Sequence, residues 1–214
     1  MSVKDFENKR WLKKDHEPVF RHRAAADMIV GGRVLDFGCG EGTVFDLLRQ
    51  KNIDYVGLEI SEEGARKSRA KGATVVVVDP MEKKLPFNDH EFDYVLLLDV
   101  LEHNLEPEIL LSEAKRVAKN IIVSVPNFNS LPARLQVLIG AVPENNRANK
   151  GHSYWFNWPV LVAMAKSVHL VIEERKFNTF WEKKFIIGGI LKKMTSNFPN
   201  LLALSFVLLL KKDE

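Results

Sequence analysis

Short runs of Val, Ile and Leu alternate with amphipathic segments from residue 33 to residue 125, and this alternation constrains the fold more than any other feature. Strands with apolar residues at successive positions are typical of parallel sheets that are covered by helices on both faces. The predicted strands are 33–37, 55–60, 74–78, 92–98 and 120–125, followed by two last strands at 170–177 and 204–211. We expect the last two to end the sheet as an antiparallel, hairpin-like pair. The sequence therefore predicts an α/β fold with a mostly parallel sheet.

Between the strands, apolar residues recur at the spacing of a helix. Ser61 and Asn157 stand where a side-chain cap would begin a helix. The predicted helices are 17–30, 43–50, 61–71, 106–119, 132–139 and 157–168. Residues 180–200 show no pattern that favours one structure.

Composition and charge exclude several classes of protein. The 214 residues carry a net charge of +3, with basic and acidic residues interleaved, so no nucleic-acid partner is expected. The single cysteine, Cys39, can form neither an internal disulfide nor a cysteine zinc site, and we expect no metal site and a cytoplasmic location. The amino-terminal residues lack the apolar core of a secretory signal. The longest apolar run, 201–210, is too short for a membrane span.

The segment VLDFGCGEG, residues 34–42, places glycines at every second position directly after the first predicted strand. Such glycines permit a sharp turn and the close approach of a ligand to the backbone. Their spacing departs from the G-x-G-x-x-G pattern of dinucleotide sites, and no lysine follows as in a phosphate-binding P-loop. Asp36 and Glu41 would both repel a pyrophosphate. The loop therefore favours a cationic or amine-bearing ligand, such as S-adenosylmethionine.

Carboxylates also end the next strands, at the edge of the sheet where ligands of open parallel sheets bind. Glu59 ends the second strand, and its carboxylate can accept hydrogen bonds from the two ribose hydroxyls of an adenosyl ligand. Asp79 ends the third strand and can accept a bond from an adenine amino group, with Met81 as an apolar neighbour of the ring. Asp99 follows the fourth strand. These positions strengthen the interpretation of an adenosyl ligand that carries no phosphate.

The segments VLDFGCGEG, GLEIS, VVVVDPMEKKLPF and FDYVLLLDVLEH resemble successive motifs of class I S-adenosylmethionine-dependent methyltransferases. The later segments SVPNFNSLPARLQVLIGAVPENN and YWFNW are similar to the MetW-like branch, whereas DVLEH resembles quinone-type enzymes (methyltransferase type 11-like). The resemblance implies a Rossmann-like sheet of seven strands with helices on both faces, whose last strand, LALSFVLLLKK, is antiparallel. It also implies one domain over 1–214. The parts of that domain would be an amino-terminal helical cap (1–32), a cofactor-binding core (33–125), an acceptor-side lid (126–169) and the last strands (170–214).

S-adenosylmethionine is the cofactor that the resemblance implies. The residues implied to bind it are Asp36, Gly38, Cys39, Gly40, Glu59, Ile60, Asp79, Pro80, Met81, Leu98 and Asp99. The methyl acceptor is expected to be a small molecule. It would enter from the side of residues 99–103, Asn127 and the aromatic cluster at 154–158.

His103 is the candidate catalytic residue, because it follows the fourth predicted strand and histidine is the commonest general base. The alternative is that Glu102 and His103 begin a helix and bind only neighbouring backbone. A base is not essential, since a sulfonium is already a reactive methyl donor and alignment can supply much of the acceleration.

Two functions from different classes stay open. The first is methyl transfer from S-adenosylmethionine to a small-molecule acceptor. The second is a non-catalytic, methyltransferase-like module that binds or regulates a partner protein, and a homodimer is also open. The glycine spacing disfavours a third function, that of a nicotinamide-dependent oxidoreductase.

Overall fold

Seven strands form one sheet in the computed structural model, which describes residues 16–78, 84–179 and 188–213 together with Asn8 and Trp11. The strands are β1 (Arg33–Phe37), β2 (Asp54–Glu59), β3 (Thr74–Val77), β4 (Phe92–Leu98), β5 (Ala118–Pro126), β6 (Leu170–Asn178) and β7 (Ser205–Lys212). Their order across the sheet is β3-β2-β1-β4-β5-β7-β6. All seven strands predicted from the sequence are present, with bounds that differ by at most two residues.

The neighbours of β1 are parallel to it, as their apolar sequences predict. Asp36 of β1 lies opposite Gly57 of β2 and opposite Leu96 of β4, and β3 pairs in parallel with β2 on its other side. β6 and β7 are antiparallel, which confirms the predicted ending of the sheet. β7 comes last in the chain but lies between β5 and β6.

The strand order reverses at β1, because β2 and β3 lie on one side of it and β4 on the other. In open α/β sheets, ligands bind outside the carboxyl ends of the strands at such a switch point. The glycine-rich segment follows β1 directly and therefore lies at the switch point.

Helices connect these strands in the described part of the chain. They are α1 (Phe20–Met28), α2 (Thr43–Leu48), α3 (Glu62–Ala70), α4 (Pro107–Val117), α5 (Leu131–Leu138), α6 (Trp158–Ser167), α7 (Gly188–Asn197) and α8 (Pro199–Leu202). The first begins three residues later than predicted, since Val19 has an extended backbone with ψ 178°. Helices α7 and α8 lie mainly in residues 180–200, for which the sequence pattern gave no prediction. None of the described helices is both long and apolar enough to cross a membrane.

The contacts of the chain group into two compact units, residues 1–98 with 112–122 and residues 99–111 with 123–214. Each unit has its own apolar interior. Among the fully buried side chains are Leu35, Val95 and Leu97 in the first unit and Phe156, Leu161 and Phe206 in the second. The single domain with four parts that the sequence implies stays a prediction.

Helix α6 begins with the predicted cap, in which Asn157 Oδ1 accepts a hydrogen bond of 3.0 Å from the N–H of Val160. Replacing Asn157 with alanine is expected to lower the free energy of unfolding by about 1 kcal/mol, because that N–H loses its cap. Urea unfolding measures the change. Asn157→Asp keeps an acceptor oxygen and is expected to stay close to the wild type. Equal stability of the alanine variant would show that the cap contributes nothing.

Candidate functional site

The glycine-rich loop turns back onto the end of β2. The backbone N–H groups of Gly38 and Cys39 both donate to the carbonyl oxygen of Leu58, at 2.8 and 3.0 Å. Gly40 has a left-handed φ of +54°, which residues with a side chain disfavour. A Cβ at Gly40 would also lie 2.4 Å from the ring of Trp11. Glycine is therefore required at this position by both conformation and space.

Glu59 joins the loop to the start of α3. Its Oε2 accepts a hydrogen bond of 2.7 Å from the Gly40 N–H, and its Oε1 accepts one of 2.8 Å from the Ser61 N–H. The residue is 5% exposed. A carboxylate can accept about four hydrogen bonds, so the two backbone bonds do not by themselves use its capacity. This arrangement fixes an anionic acceptor at the carboxyl end of β2, as the sequence predicts.

Trp11 and Asn8, which the sequence did not predict as site residues, lie against the same loop and helix. The Trp11 ring contacts Gly40, and a Cβ at Gly64 of α3 would be 3.1 Å from the indole Cδ1. The Ser61 hydroxyl donates to Asn8 Oδ1 at 2.6 Å. The sequence signal that could have identified Trp11 is that it is a tryptophan within an otherwise charged segment. These contacts place part of the amino-terminal segment directly beside Glu59.

Glu41 is engaged inside the protein, which differs from the expectation that it would face a cationic ligand. The side chain is fully buried, and its carboxylate accepts hydrogen bonds from the backbone N–H and the Nδ1 of His16. Lys67 Nζ lies 3.5 Å from its Oε2. The charge of this loop acid is therefore balanced within the protein.

Asp36 is also buried, at 3% exposure. The Tyr55 hydroxyl donates to Asp36 Oδ2 at 2.7 Å. Burial raises the pKa of Asp36 to about 7, the Tyr55 hydrogen bond opposes this shift, and the charge of Glu59 adds to it. The carboxyl group of Asp36 is thus far easier to protonate than that of an exposed aspartate.

The remaining predicted cofactor residues vary in their surroundings. Cys39 is buried against Gly57, and a Cβ added to Gly57 would lie 2.5 Å from the Cys39 Sγ. Burial holds the pKa of the Cys39 thiol well above the usual range. This fits a packing role rather than that of a nucleophile. Ile60 and Leu98 are half-buried. Asp79, Pro80 and Met81 lie outside the described residues.

Asp99 follows β4 with a left-handed backbone, at φ +55°. Its N–H donates to the Ser124 carbonyl oxygen at 3.0 Å, and the Ser124 hydroxyl donates to Asp99 Oδ1 at 2.5 Å. A non-glycine residue in this conformation costs free energy and persists where its surroundings enforce it, often at functional sites. Asp99 is therefore held in one orientation by Ser124 of β5.

His103 lies in a short 3₁₀ turn, Leu101–His103, with its side chain against a distant segment. Its Nδ1 is 3.0 Å from the Gly151 carbonyl oxygen, and its ring centroid is 4.9 Å from that of His152. His152 was missed, because it lies 49 positions later in the polar loop that precedes the aromatic cluster. Burial lowers the pKa of His152, and the neighbouring His103 adds to that effect.

The aromatic cluster predicted at 154–158 divides between interior and surface. Phe156 is fully buried and Trp155 is 56% exposed. Tyr154 lies over Phe156 with ring centroids 4.9 Å apart. Asn127, expected on the acceptor side, is buried, and its amide donates to the carbonyl oxygen of Ala203 at 2.8 Å. Phe156 and Asn127 therefore support the interior of this unit, while Trp155 faces solvent.

A comparison with protein families matches residues 20–203 to the family described as methionine biosynthesis protein MetW. The chain belongs to the MetW family. Among curated relatives, it is 32% identical over 110 residues to the bifunctional methionine biosynthesis protein MetXA/MetW of Rhodopirellula baltica, covering 46% of this chain and 17% of that one. It is 32% identical over 127 residues to a probable S-adenosylmethionine-dependent methyltransferase of Mycolicibacterium smegmatis, covering 56% and 47%.

The MetW-family chain also resembles solved structures. It matches magnesium protoporphyrin IX methyltransferase (ChlM) of Synechocystis, whose structure contains bound SAH, with a TM-score of 0.68, 19% identity and 98% of both chains covered. The fold is therefore the Rossmann-like fold of class I S-adenosylmethionine-dependent methyltransferases. The chain spans about half the length, or less, of the curated relatives named above.

Proposed function

We propose that this MetW-family chain binds S-adenosylmethionine at the glycine-rich loop and transfers its methyl group to a small-molecule acceptor. The observation that carries the proposal is the position of the buried Glu59 carboxylate. It ends β2 beside the switch point and holds the Gly40 amide at 2.7 Å. Two hydroxyls of a ribose offer the donors that such a carboxylate binds.

The residues of the loop fit the cofactor in chemistry and in charge. The Trp11 indole packs against Gly40 and Gly64, where a Cβ at either position would crowd it, and so places an aromatic ring beside the loop. Gly38 and Gly40 bring backbone close to a ligand without a side chain between them. Glu59 supplies the negative charge, because Glu41 is balanced by Lys67 and Asp36 titrates near neutrality. We infer that Asp36 supports the structure of the loop and does not supply charge to the ligand.

When bound, the cofactor supplies a methyl group on a sulfonium, which needs a nucleophile aligned with the methyl–sulfur bond. The chain's own contribution is to orient both partners and exclude water. In the second unit, Asp99 is fixed by Ser124, and the His103 imidazole directs its Nδ1 to a carbonyl oxygen. Since a carbonyl oxygen can only accept, Nδ1 carries the proton and Nε2 carries the lone pair. His103 can therefore take up a proton from an acceptor hydroxyl.

One observation favours the second function, a role with a protein partner. The Rhodopirellula baltica relative carries MetXA and MetW in one chain, as its description states. That arrangement supports a role of the MetW-family chain beside a partner protein. This proposal concerns assembly and is compatible with cofactor binding.

Titration calorimetry with S-adenosylmethionine, S-adenosylhomocysteine and NAD tests the proposed cofactor. We expect both adenosyl ligands to bind and NAD to release no heat, because the glycine spacing departs from the pattern that binds a pyrophosphate. Binding of NAD alone would contradict the proposal. Absence of binding by either adenosyl ligand would contradict it equally, and would favour the partner-dependent function.

A further inference from the structure

Three side chains of types that commonly bind metals lie together in the second unit. All three belong to the described part of the chain. Glu102, His103 and His152 each present one ligand atom, and these atoms all lie within 4.8 Å of one another. Two come from the turn after β4 and the third from the loop before α6. The single cysteine predicted no metal site, and this cluster contains no cysteine.

Both imidazoles are already held by backbone carbonyls. His103 Nδ1 is 3.0 Å from the Gly151 oxygen, and His152 Nδ1 is 2.7 Å from the Asn145 oxygen. Metal-binding histidines almost always donate their second ring N–H in this way, which fixes the tautomer and orients the ring. In both residues the nitrogen that keeps a lone pair is therefore Nε2.

The two segments are joined by main-chain hydrogen bonds as well. The N–H groups of Ser153 and Tyr154 both donate to the carbonyl oxygen of Glu102, at 2.8 and 3.0 Å. Phe128 packs edge-on against His152, with ring centroids 5.3 Å apart. The backbone thus holds the three side chains near one another, so metal binding need not order them.

Glu102 is 1% exposed, so its carboxylate lies in the protein interior. Two nitrogen ligands and one carboxylate match the sets that bind zinc and iron, whereas magnesium and calcium prefer oxygen alone.

We propose that Glu102, His103 and His152 bind a divalent first-row transition metal ion. Three protein ligands leave coordination positions open, as catalytic metal sites do. An oxygen atom of water or of a small molecule would suit such a position. His103 would then be a metal ligand rather than a general base.

Titration of metal-free protein without an affinity tag, with Co²⁺ as the probe, tests the site. Co²⁺ bound by nitrogen and oxygen ligands gives visible absorption bands that Zn²⁺ abolishes by displacement. We expect binding of one ion per chain, and no displacement by Mg²⁺ at the same concentration. Replacements His103→Gln and His152→Gln are each expected to weaken binding at least about 100-fold, since each removes a ligand.

His169→Asn is the matched control, because it removes an exposed histidine and asparagine tolerates the left-handed backbone there, at φ +55°. This variant is expected to bind Co²⁺ like the wild type. Glu102→Gln tests the carboxylate, and circular dichroism shows whether each variant is folded. No absorption change in wild-type protein would overturn the proposal, and so would unchanged affinity in the folded His152→Gln variant.

Parallel titration with S-adenosylhomocysteine separates this inference from the proposed function. Retained cofactor affinity in a variant that no longer binds Co²⁺ is the expected result. A protein that binds Co²⁺ at these residues but no adenosyl ligand would sustain the metal site and refute the proposed cofactor.

Discussion

Replacing Glu59 with glutamine is expected to weaken S-adenosylhomocysteine binding by about 100-fold, which corresponds to about 2.8 kcal/mol. The glutamine amide presents N–H donors where one carboxylate oxygen accepted the Gly40 or the Ser61 N–H. It also removes the charge that strengthens hydrogen bonds from ribose hydroxyls. Calorimetry of the variant measures the loss. Glu63→Gln is the matched control, because Glu63 is a half-buried acid in the first turn of α3 that pairs with Arg66.

The loss of affinity has two physical sources, and a second ligand separates them. Glu59 both anchors the loop and, in the proposal, binds the ribose. An analogue of S-adenosylhomocysteine whose ribose lacks both hydroxyls can be titrated against wild type and Glu59→Gln. If Glu59 binds the hydroxyls, the substitution costs far less with the analogue than with the parent ligand. An equal loss for both ligands would show that Glu59 acts only by holding the loop.

The sheet could be predicted closely from the sequence because the signal for each strand is local. Runs such as the four valines at 75–78 are apolar at successive positions, and neighbouring glycines and acids mark their ends. The position of β7 between β5 and β6 could not be predicted in the same way. It depends on long-range pairing that no short segment encodes.

The candidate site could be predicted only in part. The role of each residue depends on how buried its side chain is and on which groups it contacts. The strand-end position of Glu59 was visible in the sequence, whereas the contacts of Glu41 with Lys67 and His16 were not. Spacing shows that an acid is present in a loop. It does not show whether that acid faces a ligand or a lysine from the next helix.

The cluster of Glu102, His103 and His152 illustrates the same limit, as does Trp11. His103 was visible because it follows a strand, but His152 approaches it from a loop 49 positions later, and no periodicity links the two. Trp11 contacts the glycine loop from a segment whose composition is charged. Such contacts are set by tertiary packing, so they appear only once the fold is known.

Replacing Asp36 with asparagine is expected to change the pH dependence of stability more than any other single substitution described above. The pKa of Asp36 is about 7 in the folded protein, against 3.8 for an ordinary aspartate. The folded state therefore keeps a proton that the unfolded state loses, and wild-type stability falls as pH rises from about 4 to about 7. Asparagine does not titrate, and its oxygen can still accept the Tyr55 hydrogen bond.

The free energy of unfolding of Asp36→Asn, relative to wild type, is accordingly expected to rise by about 3 kcal/mol between pH 5 and pH 8, since each pKa unit is worth about 1.36 kcal/mol. Urea unfolding at the two pH values measures this difference, and other titrating groups cancel in it. Asp93→Asn is the control, because hydrogen bonds from the Arg33 backbone and from Lys119 hold the pKa of Asp93 below its usual value. Its difference from wild type is expected to stay constant over this range. A constant difference for Asp36→Asn as well would mean that Asp36 is already ionised at pH 5, and that its carboxylate can offer a negative charge to a cationic ligand after all.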